Sequence, residues 1–219
     1  MPDNFIMSLD THFRRRFSKE SFPSMTSCSF ATTVLTPLFV ALLLGFGTSC
    51  RQQVAAPAPT IVPTPYTTAN GLLSVDFPAP FEVETKRSDT PSGEIVIELA
   101  TCKFNDSVLS TASTLYPFKP DQFDAAKRLD RAVEGVVRSS NGSLFRSAPV
   151  ELHGMLGQEG VIHLRDNIYY RYRIVVNGKA PSLYMVQVVG AKDWVESEEM
   201  DAFIESMDVA KNDAKPLAP

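Results

Sequence analysis

The sequence predicts an α+β fold: an antiparallel β-sheet flanked by two amphipathic helices, after a signal segment and a Pro-rich linker. Three observations predict it. Apolar and polar residues alternate through most of residues 73–189, the period of half-buried strands. A helical stripe interrupts that alternation after Pro120, and a second one closes the domain. Ahead of both stands an apolar run ending at Cys50, then the tract RQQVAAPAPTIVPTPYTT.

The elements follow in order. Residues 51–69 carry Pro57, Pro59, Pro63 and Pro65 among small polar residues, the composition of an extended, disordered linker. The α+β domain is expected over 70–210, with a flexible tail over 211–219. Leu73 to Phe77 alternates as a strand, and Phe81 to Arg87 follows the turn Pro78-Ala79-Pro80. In the next strand Ile95, Ile97 and Leu99 form one face, while Glu94 and Glu98 face solvent on the other. Val108 to Tyr116 is a Thr/Ser-rich strand after the turn Asn105-Asp106.

The period then changes to that of a helix. Asp121 stands as its N-cap, with Asp124 in a capping-box-like position. Ala125, Ala126, Leu129, Ala132, Val133, Val136 and Val137 form its apolar stripe, and Asn141-Gly142 ends it. Strands are expected over Leu144 to His153, Gln158 to Leu164, Ile168 to Val176 and, past Asn177-Gly178, Leu183 to Val189. Met200, Phe203, Ile204 and Met207 share one side of a last helix over Ser197 to Met207. Hairpin-linked strands with helices segregated among them make an α+β domain rather than a βαβ array.

Residues 1–50 have the layout of an export signal: the basic cluster Arg14-Arg15-Arg16 and Lys19, an apolar core densest at Leu38 to Leu44, then Gly47-Thr48-Ser49. The end of this segment resembles the lipoprotein signal of bacteria, in which a small-residue box precedes a lipidated cysteine. Thr48, Ser49 and Cys50 fit that box, and Gly47 stands where leucine is usual. The resemblance implies lipidation of Cys50 and a membrane-anchored position on the extracytoplasmic side of the cell envelope. A cleaved secretory signal and an uncleaved anchor stay open beside it, since the run approaches the ~18 apolar residues of a membrane span. Arg14-Arg15-Arg16-Phe17-Ser18-Lys19 also resembles the twin-arginine export signature, but about ten polar or mixed residues separate it from the apolar core, which favours an ordinary basic n-region.

Without residues 1–49 the chain carries 17 Lys+Arg and 22 Asp+Glu, a formal charge of −5. A mildly acidic domain is a poor partner for nucleic acid, whose phosphates call for clustered cations. Membrane contact is expected through the N-terminus, because no polybasic face serves anionic lipid. Beyond Cys50, Cys102 is the only cysteine, so the domain is expected to rest on its core rather than on a disulfide.

The domain also resembles a class of small exported bacterial domains similar in layout to the extrinsic P-subunit of photosystem II. The residues concerned are Leu73-Ser74-Val75-Asp76-Phe77-Pro78-Ala79-Pro80, Leu152-His153-Gly154, Leu183-Tyr184 and Phe203-Ile204-Glu205-Ser206-Met207. The resemblance covers about residues 71–210. It implies an antiparallel sheet flanked by helices and an accessory or binding role without catalysis.

The residues themselves point the same way. A nucleophile would need Cys102 beside His153 or His163, which lie 51 and 61 positions away with no local signal. The histidines lack the spacing of a metal pair, so neither metal nor cofactor is expected. Gly154-x-x-Gly157-x-x-Gly160 matches no phosphate loop and reads as a flexible hairpin connection. Glu82/Glu84 and Glu94/Glu98 read as solvated strand faces.

The strand Tyr169-Tyr170-Arg171-Tyr172-Arg173 holds the candidate binding surface, Tyr169, Arg171 and Arg173, because Tyr and Arg are favoured at interfaces. The alternative is an outer face of arginines paired with Glu151 or Glu159. The expected function is that of an envelope lipoprotein whose non-catalytic domain binds a protein partner or assists an assembly. A small-ligand module, with ligand held between sheet and long helix, and a Cys- or Ser-dependent hydrolase are the alternatives.

Overall fold

The structure, a computed structural model, describes residues 62–210. The signal segment with Cys50, linker residues 51–61 and the tail 211–219 lie outside the described residues. Ten strands run in chain order: β1 Thr64–Thr67, β2 Leu73–Phe77, β3 Glu82–Thr90, β4 Gly93–Phe104, β5 Ser107–Leu115, β6 Ser143–Leu152, β7 Met155–Arg165, β8 Ile168–Asn177, β9 Ser182–Ala191 and β10 Asp208–Val209. Three helical segments join them: α1 Ala125–Ser140, α2 Lys192–Val195 and α3 Glu198–Glu205.

Seven strands form one antiparallel sheet in the order β3-β4-β5-β9-β8-β7-β6, and β1-β2-β10 form a small second sheet. The fold is therefore α+β with antiparallel sheets. Short turns set the hairpins. Asn105 and Asp106 both adopt positive φ between β4 and β5, and His153 and Gly154 do so between β6 and β7. Such left-handed pairs suit two-residue turns because their twist matches that of the strands they join.

Both faces of the large sheet are covered. On one face α1 lays Leu129, Ala132, Val133 and Val136 against Tyr170, Tyr172, Ile174 and Met185. On the other, Leu73, Val75 and Phe77 of β2 meet Ala100, Leu109, Val186 and Val188, with Met200, Phe203 and Ile204 of α3 completing the layer. β9 runs between these layers, and all but its last residue are buried. Phe77 sits 4.9 Å from Phe81 and 5.2 Å from Phe203 between ring centroids, so one aromatic cluster ties β2 to α3.

The structure corrects the sequence reading at several points. The long helix starts later than Asp121: Pro120–Gln122 is a 3₁₀ turn, and Asp124 is the N-cap, accepting from the Lys127 amide at 3.0 Å. Phe123 is extended and buried, and it separates the two. The last helix is shorter than expected and begins after its cap Ser197, while α2 is an additional turn. Gly157 and Gly160 lie inside β7 rather than in a hairpin connection. A Cβ at Gly160 would stand 2.4 Å from the Tyr172 hydroxyl oxygen, so the position is kept open for that side chain.

The expected linker also ends earlier than residue 69. Thr64–Thr67 pairs with β2 as an edge strand, where Pro65 is tolerated because no inner neighbour needs its missing donor. Tyr66 fastens this strand. Its ring is buried, and its hydroxyl donates to Glu98 at 2.6 Å. Glu98 also accepts from the Ala69 amide at 3.0 and 3.1 Å, so it is a clamp and not a solvated face residue.

Two substitutions measure the clamp. Tyr66→Ala should cost about 3 kcal/mol, through lost packing. Tyr66→Phe, which removes only the hydroxyl bond, should cost about 1 kcal/mol. Urea unfolding of both variants checks the order, and equal losses would mean that the ring contributes nothing.

Candidate functional site

The strand singled out by sequence, β8, sends alternate residues to opposite faces. Tyr170, Tyr172 and Ile174 enter the α1 layer. Tyr169, Arg171 and Arg173 point the other way, but the two arginines do not form an open surface. Arg171 is only 6% exposed.

One carboxylate organises them. Glu159 on β7 stands opposite Arg173 in the ladder and shares its face with Arg171. Its Oε1 accepts from Arg171 Nε and Nη2 at 3.1 and 2.9 Å. Its Oε2 accepts from Arg173 Nε and Nη2 at 3.1 and 2.8 Å. Each guanidinium thus offers two parallel donors to one oxygen. The outer donors reach the last helices: Arg171 Nη1 donates to Asp201 Oδ1 at 2.5 Å and to the Val195 carbonyl, and Arg173 Nη1 donates to the Ile204 carbonyl at 3.1 Å. The network joins the large sheet to α2 and α3. Of the alternatives offered by sequence, pairing with Glu159 is the one found, and Glu151 is not a partner in it.

Burial alone would raise the Glu159 pKa. The hydrogen bonds from Arg173 and Arg171, together with their charges, outweigh it and hold the carboxyl below its ordinary value. A carboxyl depressed in the folded state adds stability above its unfolded pKa and loses that contribution as pH falls through the folded value.

Tyr169 has a different setting. It is half-buried, and its ring lies 6.1 Å from Phe145 in an edge contact and 4.9 Å from His163. Phe145 is 57% exposed and Leu144 46%, both on β6, the last strand of the sheet. The β6–β7 register slips between Leu144 and Arg146, a bulge that re-aims the side chains there. Lys192 Nζ stands 6.0 Å from the Phe145 ring. The sequence does not single out Leu144 and Phe145, because an apolar pair in a strand normally divides between core and solvent.

A concavity opens at the start of α1. About 250 Å³ in volume, it is lined by Phe118, Phe123, Asp124, Lys127, Arg128 and Arg131, with Gln122 at its side. The Arg128 guanidinium lies over the Tyr116 ring, 4.6 Å from its centroid. Burial pushes the Tyr116 hydroxyl pKa up, and the Arg128 charge opposes that rise.

The other candidates do not converge. Cys102 is buried in β4, and burial pushes its thiol upward against a hydrogen bond involving the Ala79 backbone. His163 lies four strand positions across the sheet on β7, roughly 19 Å at the usual strand spacing. Its Nε2 meets the Asp166 carbonyl oxygen at 2.9 Å. His153, in the β6–β7 turn, pairs with Asp208 at 2.7 Å. Among the described residues no group of three or more His, Cys, Asp or Glu could hold a metal, and no helix is long and apolar enough to cross a membrane.

The chain matches no family model, and no curated protein matches it. Among solved structures it is similar to the cyanobacterial PsbP (CyanoP) of Synechocystis sp. PCC 6803, at 14% identity and a TM-score of 0.45, over 71% of this chain and 96% of that one. It is also similar to PA94, a protein of unknown function from Pseudomonas aeruginosa, at 12% identity and a TM-score of 0.32, over 64% of this chain and 90% of that one. At these scores and identities neither likeness bears on what the chain does.

The Glu159 network generates a pH prediction. Stability should fall as pH drops below about 4.5, the ordinary value of the carboxyl. Glu159→Gln should lower stability at neutral pH by about 3 kcal/mol, because it leaves Arg171 buried without its main counter-charge. The same variant should lose part of the acid-side slope. Denaturant unfolding between pH 3 and 7, roughly the span over which carboxylates protonate, checks this, and parallel profiles for the two proteins would contradict it.

Proposed function

We propose that this chain is a cell-envelope lipoprotein, anchored through Cys50, whose domain binds a protein partner without catalysis. Thr48-Ser49-Cys50 and the tract after it support the anchor. The observation that carries the binding role is the exposure of Leu144 and Phe145 on an edge strand, with Phe145 in edge contact with Tyr169, whose ring also meets His163.

An edge strand presents unpaired backbone donors and acceptors, and exposed aromatic side chains beside it offer contact area at low entropic cost. The partner is an extended protein segment that pairs with the outer edge of β6, which no described strand occupies, and packs apolar side chains on Phe145. Pro149 limits that pairing to the Ser143–Ala148 half of the strand, since proline cannot donate to a ladder. Of the residues singled out by sequence, Tyr169 belongs to this contact, as the support of Phe145. Arg171 and Arg173 serve the fold instead.

Two measurements on protein from native membranes test the proposal. Intact mass should show a chain beginning at Cys50 with added diacylglyceryl and acyl groups, and retention of residues 30–47 would refute the lipid anchor. A photo-crosslinking residue at position 145 should give a discrete heavier species that the same residue at exposed position 138 does not. Identical patterns from the two positions would refute the contact surface.

A further inference from the structure

The concavity at the start of α1 stands apart from the β6 edge and is built differently. The Arg128 guanidinium carbon lies over an aromatic wall, 4.6 Å from the Tyr116 ring centroid, 5.9 Å from that of Phe123 and 6.0 Å from that of Phe118. A guanidinium held over ring faces is attracted by them without spending an N–H donor. Among the described residues neither Lys127, Arg128 nor Arg131 forms an ion pair.

Lys127 and Arg131 lie one turn apart on the exposed side of α1, a spacing at which like charges disfavour the helix. General basicity does not explain the cluster, since the chain carries a formal charge of −4. The one carboxylate in the lining, Asp124, is already engaged with the Lys127 amide as the helix cap. The backbone amide is thereby satisfied, so recognition falls to the three cationic side chains. Phe118, half-buried and stacked on Tyr116 with rings 6.2 Å apart, supplies an apolar wall beside them.

We propose that this cleft binds a small phosphate ester, its phosphoryl oxygens taken by Lys127, Arg128 and Arg131 and its organic part resting on Phe118. Arginine suits phosphate because its parallel N–H donors match two phosphoryl oxygens. The cleft holds a group of a few heavy atoms beyond the phosphate, not an extended ligand, since its volume is about 250 Å³. The phosphate ester is either a soluble metabolite or the headgroup of an anionic phospholipid, which offers the same chemistry to a membrane-tethered domain.

The test uses the full chain in phosphatidylcholine nanodiscs, titrated calorimetrically with phenyl phosphate and, as the uncharged control, phenol. Phenyl phosphate should saturate one site and phenol should not. Arg131→Gln and Lys127→Gln, both at exposed positions, should each weaken phenyl phosphate binding about tenfold, the loss expected for one charge-assisted contact. Unchanged thermal unfolding of these variants would show that the loss is local. If phosphatidylglycerol in the nanodisc competes with phenyl phosphate, the source is a lipid headgroup; if it does not, the source is a soluble ester. The proposal is overturned if phenyl phosphate fails to saturate the chain, or if both variants bind it as the parent does.

Discussion

Two arginines inside a covered sheet face impose the constraint on which the rest of this structure depends. Arg171 and Arg173 share one side of β8, and the layer above them is otherwise apolar. Charged groups withdrawn from water are tolerated only when paired and fully hydrogen-bonded. Glu159 supplies one carboxylate oxygen to each guanidinium group, and the outer donors find Asp201 and the carbonyls of Val195 and Ile204. These last partners belong to α2 and α3 or border them. Satisfying the arginines therefore fixes where the C-terminal helices sit, and Met200, Phe203 and Ile204 then close the core over β2.

This arrangement separates two roles that one strand had to carry in a reading from sequence. Tyr and Arg are the side chains of interfaces, but they are equally suited to a buried electrostatic joint, because a planar guanidinium accepts fixed geometry at low cost. What distinguishes the cases is burial, which alternation along a single strand does not reveal. Tyr169 stays near the surface only because β6, its neighbour across β7, ends the sheet. Exposed apolar side chains stand instead on β6, at Leu144 and Phe145, and three cations without an ion pair among the described residues, Lys127, Arg128 and Arg131, stand at the start of α1.

Much of the fold was legible because strands and helices impose their periods on apolar residues. The eight strands read from alternation all appear, with ends displaced by a few residues. The misses have physical causes. β1 has one proline within its four residues and another just before it, and it is held by a tyrosine–glutamate clamp spanning 32 positions, which no local pattern announces. β10 and α2 are too short to display a period. Asp121 and Asp124 are both sound caps, and the extended, buried Phe123 between them decides for the second. The cleft at α1 left a fainter signal, three aromatic residues within eight positions ahead of three cations, which gains meaning only when the chain doubles back and stacks Arg128 on Tyr116.

A double-mutant cycle between Glu159 and Arg171 tests the central claim most directly, that the β8 arginines are a structural joint. Urea unfolding of Glu159→Gln, Arg171→Met and the double variant gives their coupling energy. A joint of this kind predicts coupling of about 2 kcal/mol, the double variant being far less destabilised than the two single losses combined. Coupling below about 0.5 kcal/mol, the scatter of independent sites, would contradict it.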